Sequence, residues 1–352
     1  MPILPQIQTK IQEEILPHVK TKWQPMLLLG INALSLCPFR SLNENARKNR
    51  NNEQAAEIQM YRLSQHPKVL QVFSKIFTQL FTITDQSIIN IDFSIFHPFA
   101  VLCFALQTRN GRSIPIWIDI IKYPVEKDSQ NIFILDTLAK FLTTVNCKPR
   151  IVCDRGFIGE NLIGGFIMLK LKFYVRMKAG KYIKYNGKRL QVVEKRKKLK
   201  YIHWLEVTGE LYSKLPDLRV VRSSKQMKRK SKAKECWYIV TNDFTLNREE
   251  ILKTYYYRFE IEETFKDIKH AFDTRPRYIT KKRTLKTILL FQMLGIWLLY
   301  ELNEAFQSMK QQYLKQKKRQ HSWIRQNLEI VLKERLIPVF PSYSLRKEVA
   351  AL

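Results

Sequence analysis

The chain has 352 residues, 45% of them hydrophobic, which excludes a disordered protein and allows two domains or one domain with a large insert. Lys and Arg number 61 against 31 Asp and Glu, and a net charge of +30 repels itself unless a polyanion is the usual partner, nucleic acid first among them. The 5 cysteines are odd in number and none are spaced C-x-x-C, which argues against a zinc site or disulfide framework and fits a reducing cytoplasm.

The N-terminus, MPILPQIQTKIQEEILPHV, carries acids where a signal peptide needs an apolar core, so none is expected. Residues 1–84 read mainly as helix and as a DNA-binding region. From Asn51 to Phe81, apolar residues recur at helical spacing (Ile58, Tyr61, Leu70, Val72, Phe73, Ile76, Leu80), with Pro67 dividing the stretch. The preceding RSLNENARKNRNN places Arg40, Arg47, Lys48 and Arg50 near a helix start, which suits either contact with a DNA backbone or a solvated linker.

The texture changes at Ser87. SIINIDFSIF is β-rich, PFAVLCFALQT and SIPIWIDIIKY flank an Asn110–Gly111 turn, and this pattern predicts a hairpin. Asp128 or Ser129 caps a helix to about Val145, with Ile132, Leu135, Leu138, Ala139 and Leu142 as its apolar face. RIVCDRGF then reads as a short buried strand ending in a polar turn. The order strand, strand, strand, helix, strand defines a first core segment over residues 85–160.

Residues 161–235 begin with a short helix and continue as strand-like pieces between basic turns, EKRKKLK and SSKQMKRKSKAK, a β-rich insert with cationic loops. A second core segment, 236–303, holds strand CWYIVTND, a long helix and the apolar run Ile288–Tyr300. That run falls short of the ~20 residues of a membrane span and contains Gln292, so a buried core helix is expected. Residues 304–352 form a basic helical tail.

The stretch YYYRFEIEETFKDIK, Tyr255–Lys269, concentrates the chemistry. At 3.6 residues per turn, Tyr255, Arg258, Glu262 and Lys269 fall within roughly 60° on one side of a helix. Ile261, Phe265, Ile268 and Phe272 form the adjoining apolar stripe, and Glu260, Glu263 and Asp267 are expected to face water. A carboxylate in that row can reach a metal while the cations hold phosphates. The same spacing also fits an amphipathic helix with ordinary pairs such as Arg258–Glu262. Two further acids stand out: Asp92 within the first strand, costly to bury unpaired, and Asp154 after the fourth, which an Asx turn before Gly156 also explains.

The row Y-x2-R-x3-E-x6-K, complete in Tyr255, Arg258, Glu262 and Lys269, resembles the signature of bacterial insertion-sequence transposases of the DDE class, the insertion-sequence-four type with an inserted β-domain. IDFS resembles that family's first-Asp motif and CDRGF its second, and the order Asp, Asp, β insert, Glu also matches, so the likeness covers roughly Ser87 to Leu302. It implies an α/β fold: an RNase H-like core of mixed sheet and flanking helices, interrupted by a β insertion, with helical ends. The first and fourth strands of that fold are neighbours. It further implies that Asp92, Asp154 and Glu262 bind two divalent ions, Mg²⁺ or Mn²⁺, for in-line displacement at phosphorus.

Tyr255, Arg258, Lys269 and Arg155 would hold DNA phosphates, and Trp204 or Trp237 would stack on a flipped base or else pack in the core. The implied partners are the element's terminal inverted repeats and target duplex DNA, in a homodimer, in the bacterial cytoplasm with the nucleoid and without a membrane. The implied reaction is cut-and-paste transposition by nicking, a hairpin and strand transfer. The other classes open to these residues are an RNase H-fold nuclease and a DNA-binding regulator that does not cut.

Overall fold

The computed structural model describes residues 3–21, 24–31, 58, 61–62, 72–73, 76–77, 79–126, 129–178, 180–191, 205–223, 227–228, 234–274, 279–307 and 322–334. Arg40, Arg47, Lys48, Arg50, Trp204 and most of both basic turns lie outside them.

Helices α1 (Ile3–Lys10) and α2 (Gln24–Gly30) precede strands β1 (Ile88–Phe96), β2 (Phe99–Leu106) and β3 (Ile114–Lys122). Next come α3 (Ser129–Val145), β4 (Arg150–Cys153), α4 (Glu160–Met168) and β5 (Phe173–Arg176). The strands β6 (Tyr182–Tyr185), β7 (Lys188–Gln191), β8 (Glu206–Gly209), β9 (Leu218–Arg222), β10 (Met227–Lys228), β11 (Lys234–Glu235) and β12 (Tyr238–Thr241) follow. Four helices close the chain: α5 (Arg248–Tyr256), α6 (Phe259–His270), α7 (Lys282–Glu301) and α8 (Trp323–Glu334).

One eight-stranded sheet runs β3-β2-β1-β4-β5-β12-β9-β8. β1, β2 and β3 pair antiparallel, β2 and β3 as the hairpin expected around Asn110–Gly111, while β1–β4 and β4–β5 pair parallel. That order, with helical crossovers after β3 and β4, is the RNase H-like arrangement. β5, β8 and β9 come from the 161–235 segment yet are hydrogen-bonded into this sheet; β6–β7 and β10–β11 pair apart from it.

The central strands are covered on both faces, and β2 (FAVLCFAL) is accordingly buried along almost its whole length. Over it lies α3, whose Phe141 meets Phe104 and Trp117 at ring distances of 5.2 and 5.9 Å. The apolar face expected of α3 is corrected in phase. Ile134, Thr137, Leu138 and Phe141 are buried, whereas Ile132 is 71% exposed. Every third or fourth residue of α3 is apolar over most of its circumference, so spacing alone does not fix which face turns inward.

The apolar run is the buried core helix expected. α7 is long and apolar enough to cross a membrane, but it lies mostly inside the protein, between the edge strand β3, the N-terminal helices and α8. Its Lys286 ion-pairs with Asp119 at 2.9 Å, so Asp119 is half-buried at this contact and does not face open solvent. Gly30 of α2 lies flat on Phe291, where a Cβ would fall 2.0 Å from the ring. Gly30→Ala is expected to cost about 1–3 kcal/mol of stability. Urea denaturation checks this, and an unchanged midpoint would mean that α2 is not seated there.

Candidate active site

β1 is otherwise largely apolar, yet it carries Asn90, Asp92 and Ser94 on one face, since alternate residues of a strand point the same way. In the parallel β1–β4 pair Ile91 stands opposite Cys153. One residue further along, Asp92 and Asp154 therefore lie side by side at the end of β4. Asp154 caps a short turn, Arg155–Phe157, by accepting the Gly156 N–H at 2.6 Å. The Asx turn and the place beside Asp92 thus coexist.

The third acid comes from the other end of the chain. Asn247 and Glu250 close a capping box that starts α5, and α6 follows after a kink. The one long helix expected over Tyr255–Lys269 is therefore two helices, with Tyr255 on the first, Arg258 at the junction, and Glu262 and Lys269 on the second. The cause is side-chain insertion into the helical ladder. Gln107 donates to the Thr254 carbonyl at 3.1 Å, and the Arg258 N–H turns to Tyr255 O instead. Asn90 donates to Tyr257 O at 3.2 Å and accepts from Gln107 at 3.1 Å. Asn90 is fully buried, and a polar residue inside the run IINIDF is the sequence signal that could have disclosed it.

The expected apolar stripe docks α6: Ile261, Phe265, Ile268 and Phe272 are all buried. Glu260 and Asp267 are corrected, since both are buried too. The loop between β2 and β3 folds over that side of the helix. Glu260 accepts the N–H groups of Thr108 and Gly111 at 3.0 and 2.8 Å, and Asp267 pairs with Arg112 at 2.6 Å.

Arg258 joins the acids. Its guanidinium is 6% exposed, lies 3.4 Å from the Asp92 carboxylate and hydrogen-bonds Glu262. Burial pushes the Asp92 carboxyl up to about 7; Arg258 opposes this, and the charges of Asp154 and Glu262 reinforce it. Burial would lower the pKa of Arg258, but Tyr255, Glu262 and Asp92 more than offset it and the guanidinium stays charged. The donor set is all carboxylate oxygen, which suits a hard divalent cation, and the mutual repulsion seen at Asp92 is what such an ion relieves. Among the described residues, however, no three acids, histidines or cysteines converge into a ready metal cage, and Arg258 stands between Asp92 and Glu262.

The remaining expected site residues divide. Lys269 is half-buried with its ammonium 5.0 Å from the Phe96 ring; burial lowers its pKa, and no acid pairs with it among the described residues. Arg155 is exposed directly after Asp154. Tyr255 is buried, and burial pushes its phenol up to about 12, so it stays neutral. Its ring meets Trp237 edge-on at 5.4 Å, and Trp237 also leans on Phe259 at 5.7 Å. Trp237 is thus packed into the core and offers no open face to a base in this state.

Asp243, the last residue of the CWYIVTND run, is fully buried behind β4 and β5. It pairs with Arg150 at 3.2 Å and Lys172 at 3.3 Å, accepts Tyr174 Oη–H at 2.5 Å and binds Thr245 at 2.6 Å.

Residues 108–298 match the family described as Transposase DDE domain. The match takes in Asp154, Tyr255, Arg258, Glu262 and Lys269 and begins after β1, so Asp92 precedes it. No curated protein gives a significant match. Among solved structures, the X-ray crystal structure of Marinitoga piezophila Argonaute in complex with 5′ OH guide RNA is similar at 13% identity and a TM-score of 0.28. That alignment spans 74% of this chain and 40% of the other, and a likeness this slight carries no argument. The family match extends over more than half of the chain's 352 residues, and this protein belongs to the Transposase DDE domain family.

Proposed function

We propose that this protein is a transposase of the insertion-sequence-four type, cutting and joining DNA at a site made by Asp92, Asp154 and Glu262. The observation that carries the reading is the β1–β4 register, which sets Asp92 beside Asp154 on the strand order of an RNase H-like core, with Glu262 reached through Arg258. These carboxylates would hold two divalent ions, Mg²⁺ or Mn²⁺. When bound, such ions supply Lewis acidity at the scissile phosphate and lower the pKa of the attacking water or 3′-hydroxyl.

The chain's own residues do the rest. Lys269, half-buried and without an acid partner among the described residues, and Arg155, exposed beside Asp154, hold the phosphates flanking the cut. Tyr255 and Trp237 stiffen the support beneath Arg258, since their rings pack together and Arg258 lies 5.8 Å from the Tyr255 ring. The substrates are the terminal inverted repeats of the element and target duplex DNA, the assembly on DNA is a homodimer, and the place of action is the cytoplasm with the nucleoid. Nicking, a hairpin intermediate, its reopening and strand transfer follow in that order.

The test is incubation of a labelled duplex bearing the sequence that flanks the gene with protein and Mg²⁺ or Mn²⁺. Metal-dependent nicking and a hairpin product are expected, both lost in Asp154→Ala. Binding without cleavage would instead favour a regulator that does not cut. Lys269→Ala is expected to lower the salt slope of log K for DNA by about one, the loss of one phosphate contact. An unchanged slope in a filter-binding salt series would remove Lys269 from the interface.

A further inference from the structure

Arg258 stands where two acids of the site would otherwise meet. One arm of its guanidinium reaches Asp92 at 3.4 Å and the other hydrogen-bonds Glu262, while the group itself is 6% exposed. The rings of Phe259 and Tyr255 lie 4.8 and 5.8 Å from its Cζ, closing the apolar side. Its Nε–H has no hydrogen-bond partner among the described residues. The guanidinium is therefore held by the two acids on one side and by packing on the other, with one donor unspent. Glu262, in contrast, is 41% exposed and is tied to Arg258 across a single helical turn.

A carboxylate lone pair that accepts from a guanidinium is not free for a metal, and two cations a few ångströms apart in a partly buried site repel strongly. We propose that Arg258 and a divalent cation exclude one another at the Asp92–Glu262 pair, so that the site is closed to metal until a DNA phosphate draws the guanidinium away. This rests on the reading of Asp92, Asp154 and Glu262 as metal ligands. Lys269 can hold phosphate first, because among the described residues it gives up no acid partner. Arg258 must give up two, so its release belongs to the seated complex. Metal and DNA then reinforce each other's binding by the same factor, as linkage requires. The benefit is order: a chain away from DNA keeps its cutting site unloaded.

The experiment titrates Mn²⁺ into the full chain without DNA and follows the free-ion signal by electron paramagnetic resonance. Arg258→Ala is expected to bind Mn²⁺ about tenfold more tightly than the wild type or better, as removal of a like charge beside a cation site requires. Arg258→Lys, which keeps a charge but cannot bridge both acids, should fall between and serves if the alanine variant does not fold. Lys269→Ala, which removes an equal charge that bridges nothing, should stay within about twofold. Arg258 variants that bind no better than the wild type would overturn the proposal. Adding Asp92→Asn to Arg258→Lys separates the two ideas. Loss of Mn²⁺ there keeps Asp92 as a ligand even if the exclusion fails, and undiminished binding would overturn both.

Discussion

Asparagine in place of Asp92 is expected to abolish DNA cleavage, by roughly a thousandfold or more, while leaving duplex binding measured in EDTA within about threefold. The same substitution should make the metal-free protein more stable above neutral pH. The Asp92 carboxyl titrates at about 7 in the folded protein because it is buried and lies beside Asp154 and Glu262, with Arg258 only partly compensating. In the unfolded chain an Asp titrates near ~3.9. The folded state therefore binds the extra proton. Its stability is fully present below the unfolded value and falls as pH rises through about 7. Asparagine removes that penalty, so the variant should melt roughly 5 °C higher at pH 8 in EDTA and show little difference at pH 4. Equal melting at both pH values would mean that Asp92 is not crowded, and intact cleavage would remove it from the site.

Asp243→Ala is expected to be the most damaging single change to the fold, at about 3–5 kcal/mol. It strips a partner from partly buried Arg150 and from buried Tyr174 and opens the junction of β4, β5 and β12. Burial alone would push the Asp243 carboxyl up, but hydrogen bonds from Thr245, Tyr174 and Lys172 overcome it and hold the group well below the usual carboxylate range. The sign is opposite to that of Asp92. This stability is present above the unfolded value near ~3.9 and is lost as pH falls through the folded one. Urea melts from pH 7 to pH 3 should show the wild type weakening in acid, and Asp243→Asn, already weaker at pH 7, changing less. Parallel curves for the two proteins would refute the assignment.

Much of this was legible because it is written in local spacing. Ile261, Phe265, Ile268 and Phe272 repeat at helical intervals, and they are the residues that dock α6. The β1–β4 neighbourhood followed from the resemblance to the RNase H-like transposases, not from spacing. What spacing could not disclose are effects that reach in from elsewhere. The kink before Arg258 is made by Asn90 and Gln107, more than a hundred residues away. Glu260 and Asp267 look like solvent residues until the loop of Thr108–Arg112 closes over them. Asp243 is not singled out by the sequence, because nothing local announces Arg150 or Tyr174. Arg258 was legible as a residue of the row, but its position between two acids is a property of the folded site alone.

The separation of those acids along the chain also sets a timetable. Asp92 and Asp154 sit on neighbouring strands and leave the ribosome early, whereas Glu262 emerges about a hundred residues later, after β12 and α5. At roughly 5–20 residues per second, several seconds of synthesis separate a nascent chain that carries two of the acids from one that carries all three. A chain broken off anywhere in that interval keeps cationic surface and lacks the helix that completes the set. On the proposed reading of the three acids, such a truncated chain is expected to bind DNA without cutting it.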